Sequence, residues 1–200
     1  MIVIDDFVKD EKLIKEMKDL DGDFWKIGYH WWGGWWNSNS PMTLRHELIE
    51  YIWRDGCPPQ LHGMGIGGFE HWVGILNKDK TIGNEKGYAL NHHYDKDEGG
   101  GKDSPIMGTV YYPPMGEPQC EGGYLKIYDS TSKVNNRQRH YKDSETIRQE
   151  CPYELIAPVP NRLVIFDATQ LHAVTEIPKG NRYAIAINLW DSRPTTEMEE

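Results

Sequence analysis

The clearest alternation of apolar and polar positions lies near the end of the chain. From Arg182 to Trp190, Tyr183, Ile185, Ile187 and Leu189 fall on one face of an extended strand, and Arg182, Ala184, Ala186, Asn188 and Trp190 on the other. The first set is an ordinary core face. The second joins a cation, two very small residues and an amide, which pack poorly as a core but well as a cavity wall. Upstream, Asn161 to Phe166 is an apolar, β-branched run bounded by Pro158 and Pro160. Ile177 to Asn181 carries turn chemistry, because Gly and Asn tolerate positive φ. Pairing of these two strands would bring His172 and Arg182 to one pocket.

The rest of the chain reads as helices first and strands afterwards. Ile2 to Phe7 predicts a short strand, followed by a helix starting near Asp10 with Leu13, Ile14, Met17 and Leu20 at helical spacing. Thr43 to Trp53 predicts a second amphipathic helix, stopped by Asp55-Gly56-Cys57-Pro58-Pro59. Phe69–Leu76, Tyr88–Asp95, Gly108–Tyr112 and Tyr124–Tyr128 then read as strands, for about seven or eight in all by the strand signals. Asp129 to Glu150 predicts a long polar surface loop with room for one helical turn. Between the helices lies a segment with five Trp and a Gly-Gly hinge, from Phe24 to Trp36. Clustered Trp more often packs as an aromatic flap than serves as a partner surface; exposed Trp would instead suggest a homodimer.

Composition narrows the choices. At 200 residues and 23.2 kDa, residues 1–200 are most simply one domain. The formal charge of −9 disfavours a nucleic-acid partner, which needs a basic face. Three unclustered Cys without CxxC indicate neither a disulfide framework nor a zinc site. No window approaches a membrane span, and a cytoplasmic location is the default expectation.

The chemistry-bearing residues are few. His93 and Asp95, two apart at the end of a strand-like run, share a face. With one distant His they make a two-His, one-carboxylate set that holds an ion on one side and leaves positions open, as in non-haem Fe(II) sites. His172 is the best third ligand. Arg182, ten residues on, projects into a small-residue cavity, which is costly unless an anion meets it. Each feature is commonplace alone; the joint pattern carries the weight. His30, His46, His62 and His140 read as surface or loop residues, and His71 and His92 as satisfied core groups or groups that support the ligands, rather than as ligands. Asp167 reads as a turn former, Asn188 as a contact for cosubstrate or substrate, and Trp190 as packing.

Here the chain resembles the Fe(II)/2-oxoglutarate-dependent oxygenases, especially the branch related to prolyl 4-hydroxylases. The matching pieces are His93-Tyr94-Asp95, Gly108-Thr109-Val110-Tyr111-Tyr112, Glu121-Gly122-Gly123-Tyr124-Leu125, Asn161 to Phe166, His172-Ala173-Val174 and Gly180-Asn181-Arg182-Tyr183. The resemblance implies a mainly β (α+β) fold. Its core, residues 69–190, would be a jelly-roll-like or cupin-like double-stranded β-helix, braced by helices from the Trp-rich N-terminal part, residues 1–60. It implies Fe(II) held by His93, Asp95 and His172, with 2-oxoglutarate and O2 as cosubstrates. Arg182 would meet the cosubstrate's C5 carboxylate, supported by Tyr112 or Tyr111. The activity implied is hydroxylation of a protein or peptide side chain, prolyl-hydroxylase-like, or of a small molecule, with release of succinate and CO2. The loop from Lys96 to Ser104 would be a lid.

Two departures stand out against that branch. Arg182 replaces a frequent Lys, and Leu90 stands where a Tyr is common, so a prolyl substrate does not follow. Two rival readings are a non-catalytic β-sandwich that binds a ligand through its Trp cluster, and a cupin-type metalloenzyme without 2-oxoglutarate.

Overall fold

The computed structural model describes residues 1–33, 43–96, 104–116, 120–129 and 144–195. Trp35 and Trp36, residues 97–103 of the lid expected from Lys96 to Ser104, and residues 130–143 of the polar loop expected from Asp129 to Glu150, with His140, lie outside the described residues.

Two antiparallel sheets carry the fold. The major sheet has the order β1-β9-β5-β12-β3-β2. Its strands are β1 (Ile2–Ile4), β2 (His30–Trp32), β3 (Gly68–Leu76), β5 (Met107–Tyr112), β9 (Arg162–Phe166) and β12 (Arg182–Trp190). The minor sheet, β4-β10-β7-β8, is built from β4 (Tyr88–His93), β7 (Leu125–Tyr128), β8 (Tyr153–Ile156) and β10 (His172–Thr175). A small ribbon pairs β6 (Cys120–Glu121) with β11 (Lys179–Gly180). Val110, Tyr112, Val164, Phe166 and Ala184 of the major sheet pack on Leu125, Ile127 and Ile156 of the minor sheet, so inner face meets inner face. This is the double-stranded β-helix anticipated from the sequence.

The outer face of the major sheet takes the helices. Asp10 caps α1 (Glu11–Met17), its carboxylate accepting from the amides of Lys12 and Leu13; such a cap contributes about 1 kcal/mol. Thr43 caps α2 (Leu44–Tyr51) by accepting from the amide of His46, and a π-helical turn, Ile52–Gly56, follows. Leu13, Met17, Leu48, Ile49 and Ile52 pack on Val73, Tyr111, Leu163, Ile165, Ile185, Ile187 and Leu189. Each such side chain, once fully buried, contributes roughly 1.5–3 kcal/mol. Leu20 falls outside α1 and is exposed.

Several expectations need correction. Twelve strands appear among the described residues rather than seven or eight. β9 and β12 do not pair with one another, because β5 lies between them, and His172 belongs to the other sheet. Residues 144–150, expected within a surface loop, form α3 (Ser144–Glu150), whose Ile147 is buried with Tyr128 and Leu171. His30 and His46 are not surface groups: His30 stacks on His71 at 5.4 Å, and His46 on Trp32 at 4.3 Å. His71 is buried, and neither ring nitrogen has a hydrogen-bond partner, so it is not a satisfied core group. Trp25 and Trp31 are buried and Trp32 half-buried, which favours packing for the described part of the Trp-rich segment.

No described helix is long and apolar enough to cross a membrane, and Cys57, Cys120 and Cys151 are free thiols.

Candidate functional site

The minor sheet brings His93 and His172 together. They face each other across the β4–β10 pair, with ring centroids 4.1 Å apart. The pairing slips just beyond His172, an irregularity of the kind that re-aims side chains beside sites. Asp95, two residues past the end of β4, completes the group. Its Oδ1 lies 3.7 Å from His93 Nε2 and 3.6 Å from His172 Nε2. Those separations are too long for hydrogen bonds and close enough for the three to converge on one cation. One potential ligand atom from each residue lies within 4.8 Å of the others.

The backbone sets both imidazoles for that task. His93 Nδ1 lies 2.8 Å from the Asn91 carbonyl, and His172 Nδ1 lies 2.9 Å from the Gln170 carbonyl. A carbonyl only accepts, so Nδ1 carries the proton and Nε2 offers its lone pair toward Asp95. Burial, reinforced by the neighbouring His93, lowers the pKa of His172 to about 4, which keeps it neutral and able to ligate. The turn before it is held by Asp167, whose Oδ1 accepts from the amide and hydroxyl of Thr169 at 2.9 and 2.6 Å.

The major sheet supplies the opposite wall. Ala184, Ala186 and Gly74 line a cavity of about 480 Å³ that also includes His93, Asp95 and His172. A Cβ built on Gly74 would meet nothing within 4 Å, so the space here is real. Arg182 lines the same cavity and is 4 % exposed. Its Nε donates to the Gly123 carbonyl at 3.0 Å and its Nη2 to the Tyr112 hydroxyl at 3.1 Å. No described carboxylate lies within 4.0 Å of it. Tyr111 points the other way, into the helix-side core, where its hydroxyl donates to Asn161 Oδ1 at 2.8 Å. Of the two tyrosines, Tyr112 is therefore the one beside Arg182.

A buried guanidinium calls for an anion, and three convergent N/O donors for a hard or borderline divalent cation. The residues thus fit both an iron ion and a dicarboxylate.

Sequence reasoning missed two contributors. Gly123 sits at φ +66, and a Cβ there would come within 3.2 Å of the Arg182 side chain. The Glu-Gly-Gly motif was visible, but the contact was not. Glu70 on β3 is buried and accepts from Asn188 Nδ2 at 3.3 Å and from the Trp190 indole at 3.0 Å. Asn188 and Glu70 both line the cavity.

Comparisons with known proteins agree with this construction. Two solved structures share the fold. A prolyl-4-hydroxylase from Pseudomonas putida superposes with TM-score 0.54 at 14% identity, covering 96% of this chain and 92% of that one. A Trichoplax adhaerens prolyl hydroxylase, solved with a peptide fragment of the hypoxia inducible factor oxygen degradation domain, gives TM-score 0.55 at 16% identity, covering 95% and 83%. No curated protein matches the chain. Residues 80–190 match the family described as the 2OG-Fe(II) oxygenase superfamily, a span that includes both histidines, Asp95 and Arg182. The chain belongs to that superfamily, and is a non-haem dioxygenase that works with Fe(II), 2-oxoglutarate and O2.

Proposed function

We propose that His93, Asp95 and His172 hold the iron, that Arg182 and Tyr112 hold the C5 carboxylate of 2-oxoglutarate, and that the substrate is an aliphatic side chain of a peptide or a similar small molecule. The observation that carries this reading is the pairing of a buried Arg182 with the Tyr112 hydroxyl on the same cavity as the triad. A β-sandwich binding module needs no such cation, and a metalloenzyme without a dicarboxylate cosubstrate needs no clamp of that kind.

In this reading each residue has a physical task. The Asn91 and Gln170 carbonyls fix the two imidazoles so that no reorganisation accompanies metal binding. Gly123 and Tyr112 hold the guanidinium in one rotamer, so the carboxylate meets a pre-set cation. The small side chains of Ala184, Ala186 and Gly74 leave room between that cation and the triad for a dicarboxylate chain. Iron and 2-oxoglutarate, when bound, supply O2 activation, with succinate and CO2 as co-products. Phe166, edge-on to His172 at 5.1 Å, and the apolar inner face exclude water from this region. A peptide substrate is supported by analogy with the Trichoplax enzyme's peptide complex, while Arg182 and Leu90 weaken the case for proline itself.

The test is an anaerobic titration of apo-protein with Fe(II) and then 2-oxoglutarate, following the visible charge-transfer band of the chelate and the heat of cosubstrate binding. The expected result is a band that is absent in His172→Ala and needs far more cosubstrate in Arg182→Ala. No bound iron and no band in the wild type would overturn the assignment.

A further inference from the structure

Each imidazole of the triad is held by the carbonyl of an amide-bearing residue two positions before it, Asn91 for His93 and Gln170 for His172. The two amide side chains are anchored differently. Gln170 Nε2 donates to the Tyr128 carbonyl at 3.0 Å, and Tyr128 is buried with Ile147 and Leu171, so His172 is tied to the interior of the minor sheet. Asn91 is held instead by the turn that precedes β4. Its Oδ1 accepts from the Glu85 amide at 2.9 Å, and its own backbone amide donates to the Ile82 carbonyl at 3.2 Å.

That turn grips β4 at several further points. Ile82 forms a parallel bridge with Leu90, and its amide donates to the Ala89 carbonyl at 2.7 Å. The Glu85 carboxylate accepts from the His92 amide at 3.2 Å and from His92 Nδ1 at 2.8 Å. Gly83 adopts φ +96 and passes so close to Asn91 that an added Cβ would collide with the side-chain amide. The same turn faces the cavity. Ile82 and Gly83 line it beside Asn91, and Ile82 is 55 % exposed at its mouth. A group entering there meets a turn that lies two hydrogen bonds from the His93 ring. One runs from the Asn91 amide to the Ile82 carbonyl, the other from His93 Nδ1 to the Asn91 carbonyl.

We propose that Asn91 is a positioning residue of the metal site, and that through it the Ile82–Glu85 turn couples occupancy of the cavity mouth to the orientation of His93. The proposal rests on the assignment above, in which His93 ligates the iron. His172, anchored to β7, is the fixed point, and His93 is the ligand that responds to the mouth. Metal affinity depends steeply on the groups that orient a ligating imidazole, so a small shift of this turn reads out at the ion.

The test titrates apo-protein anaerobically with Fe(II) by calorimetry, then records the visible charge-transfer band after saturation with 2-oxoglutarate. Asn91→Ala removes the acceptor for the Glu85 amide, and Gly83→Ala pushes on Asn91 from the turn. Each should lower Fe(II) affinity roughly tenfold or more, the usual cost of losing a group that orients a metal-bound histidine, and each should shift the band. A merely structural role would lower the fraction of protein that binds without moving the affinity or the band of the remainder. In the double variant the added Cβ has no amide to strike, so the combined loss should not exceed that of Asn91→Ala alone. Unchanged affinity and band in Gly83→Ala, which carries the test if Asn91→Ala does not fold, would overturn the proposal. Multiplied losses in the double variant would do the same, and in both cases the oxygenase assignment would stand. Failure of wild type to bind Fe(II) would overturn that assignment and this inference with it.

Discussion

Gly123 and Arg182, 59 residues apart in sequence, meet at 3.0 Å, with the Gly123 carbonyl accepting from Nε. The glycine is required twice over, by its φ of +66 and by the 3.2 Å clearance between an added Cβ and the Arg182 side chain. Gly123→Ala should therefore displace the guanidinium and strain the backbone. We expect roughly a tenfold or greater loss of 2-oxoglutarate affinity, with a stability cost of about 1–2 kcal/mol. Iron binding should be preserved. Calorimetric titration beside a urea melt checks all three.

Tyr112→Phe removes one hydroxyl, which accepts from Arg182, and little volume. A hydrogen bond to a charged group is worth about 1.5–3 kcal/mol. The variant should weaken cosubstrate binding by roughly one to two orders of magnitude, whereas Tyr111→Phe should leave it unchanged and lower stability instead. A KM for 2-oxoglutarate that moves with position 111 rather than 112 would refute the assignment.

Asn161 joins three parts of the fold. It adopts φ 60, a conformation Asn tolerates better than most residues. Its side chain accepts from the Val8 amide and the Tyr111 hydroxyl, and donates to the Val8 carbonyl. Asn161→Ala strands these groups, and about 2–5 kcal/mol of stability should be lost, read as a fall in urea midpoint without a change in slope.

Acid should destabilise the fold through its buried histidines. Burial, aided by the Arg45 charge, lowers His71 to about 2 and His46 to about 4. Both folded values lie below the unfolded one near 6.5, so the unfolded chain binds more protons. The stabilisation is complete above pH 6.5 and declines as the pH falls from there, down to about 4 for His46 and about 2 for His71, because over that range unfolding takes up protons that the native fold refuses. His71→Phe should flatten that limb of a Tm-against-pH curve; an unchanged limb would refute this origin.

Much of this site is legible in the sequence. The His-x-Asp pair at a strand end, the later His and the small-residue face of β12 each follow from period-two alternation. What stayed hidden depends on pairing between distant strands. β8 has three exposed residues among its four, so no alternation betrays it. Glu70 sits in an otherwise ordinary strand, and only its register with Asn188 shows that its side chain faces the cavity. His30, His46 and His71 come from three elements whose convergence no local pattern encodes. The expectation that β9 pairs with β12 failed because β5 inserts between them.

The triad rides on β4, its extension and β10 of the minor sheet, whereas Arg182 and Tyr112 ride on the major one. In the proposed assignment, a cosubstrate gripped by both walls would be a cross-brace between two layers whose inner faces pack through an apolar cluster. Separating the layers must then break the brace, so loading becomes linked to mechanical cohesion. At a hundredfold excess over Kd that linkage adds about 2.7 kcal/mol. Metal plus 2-oxoglutarate should raise Tm beyond the sum of either alone, and a monocarboxylate that reaches only one wall should not.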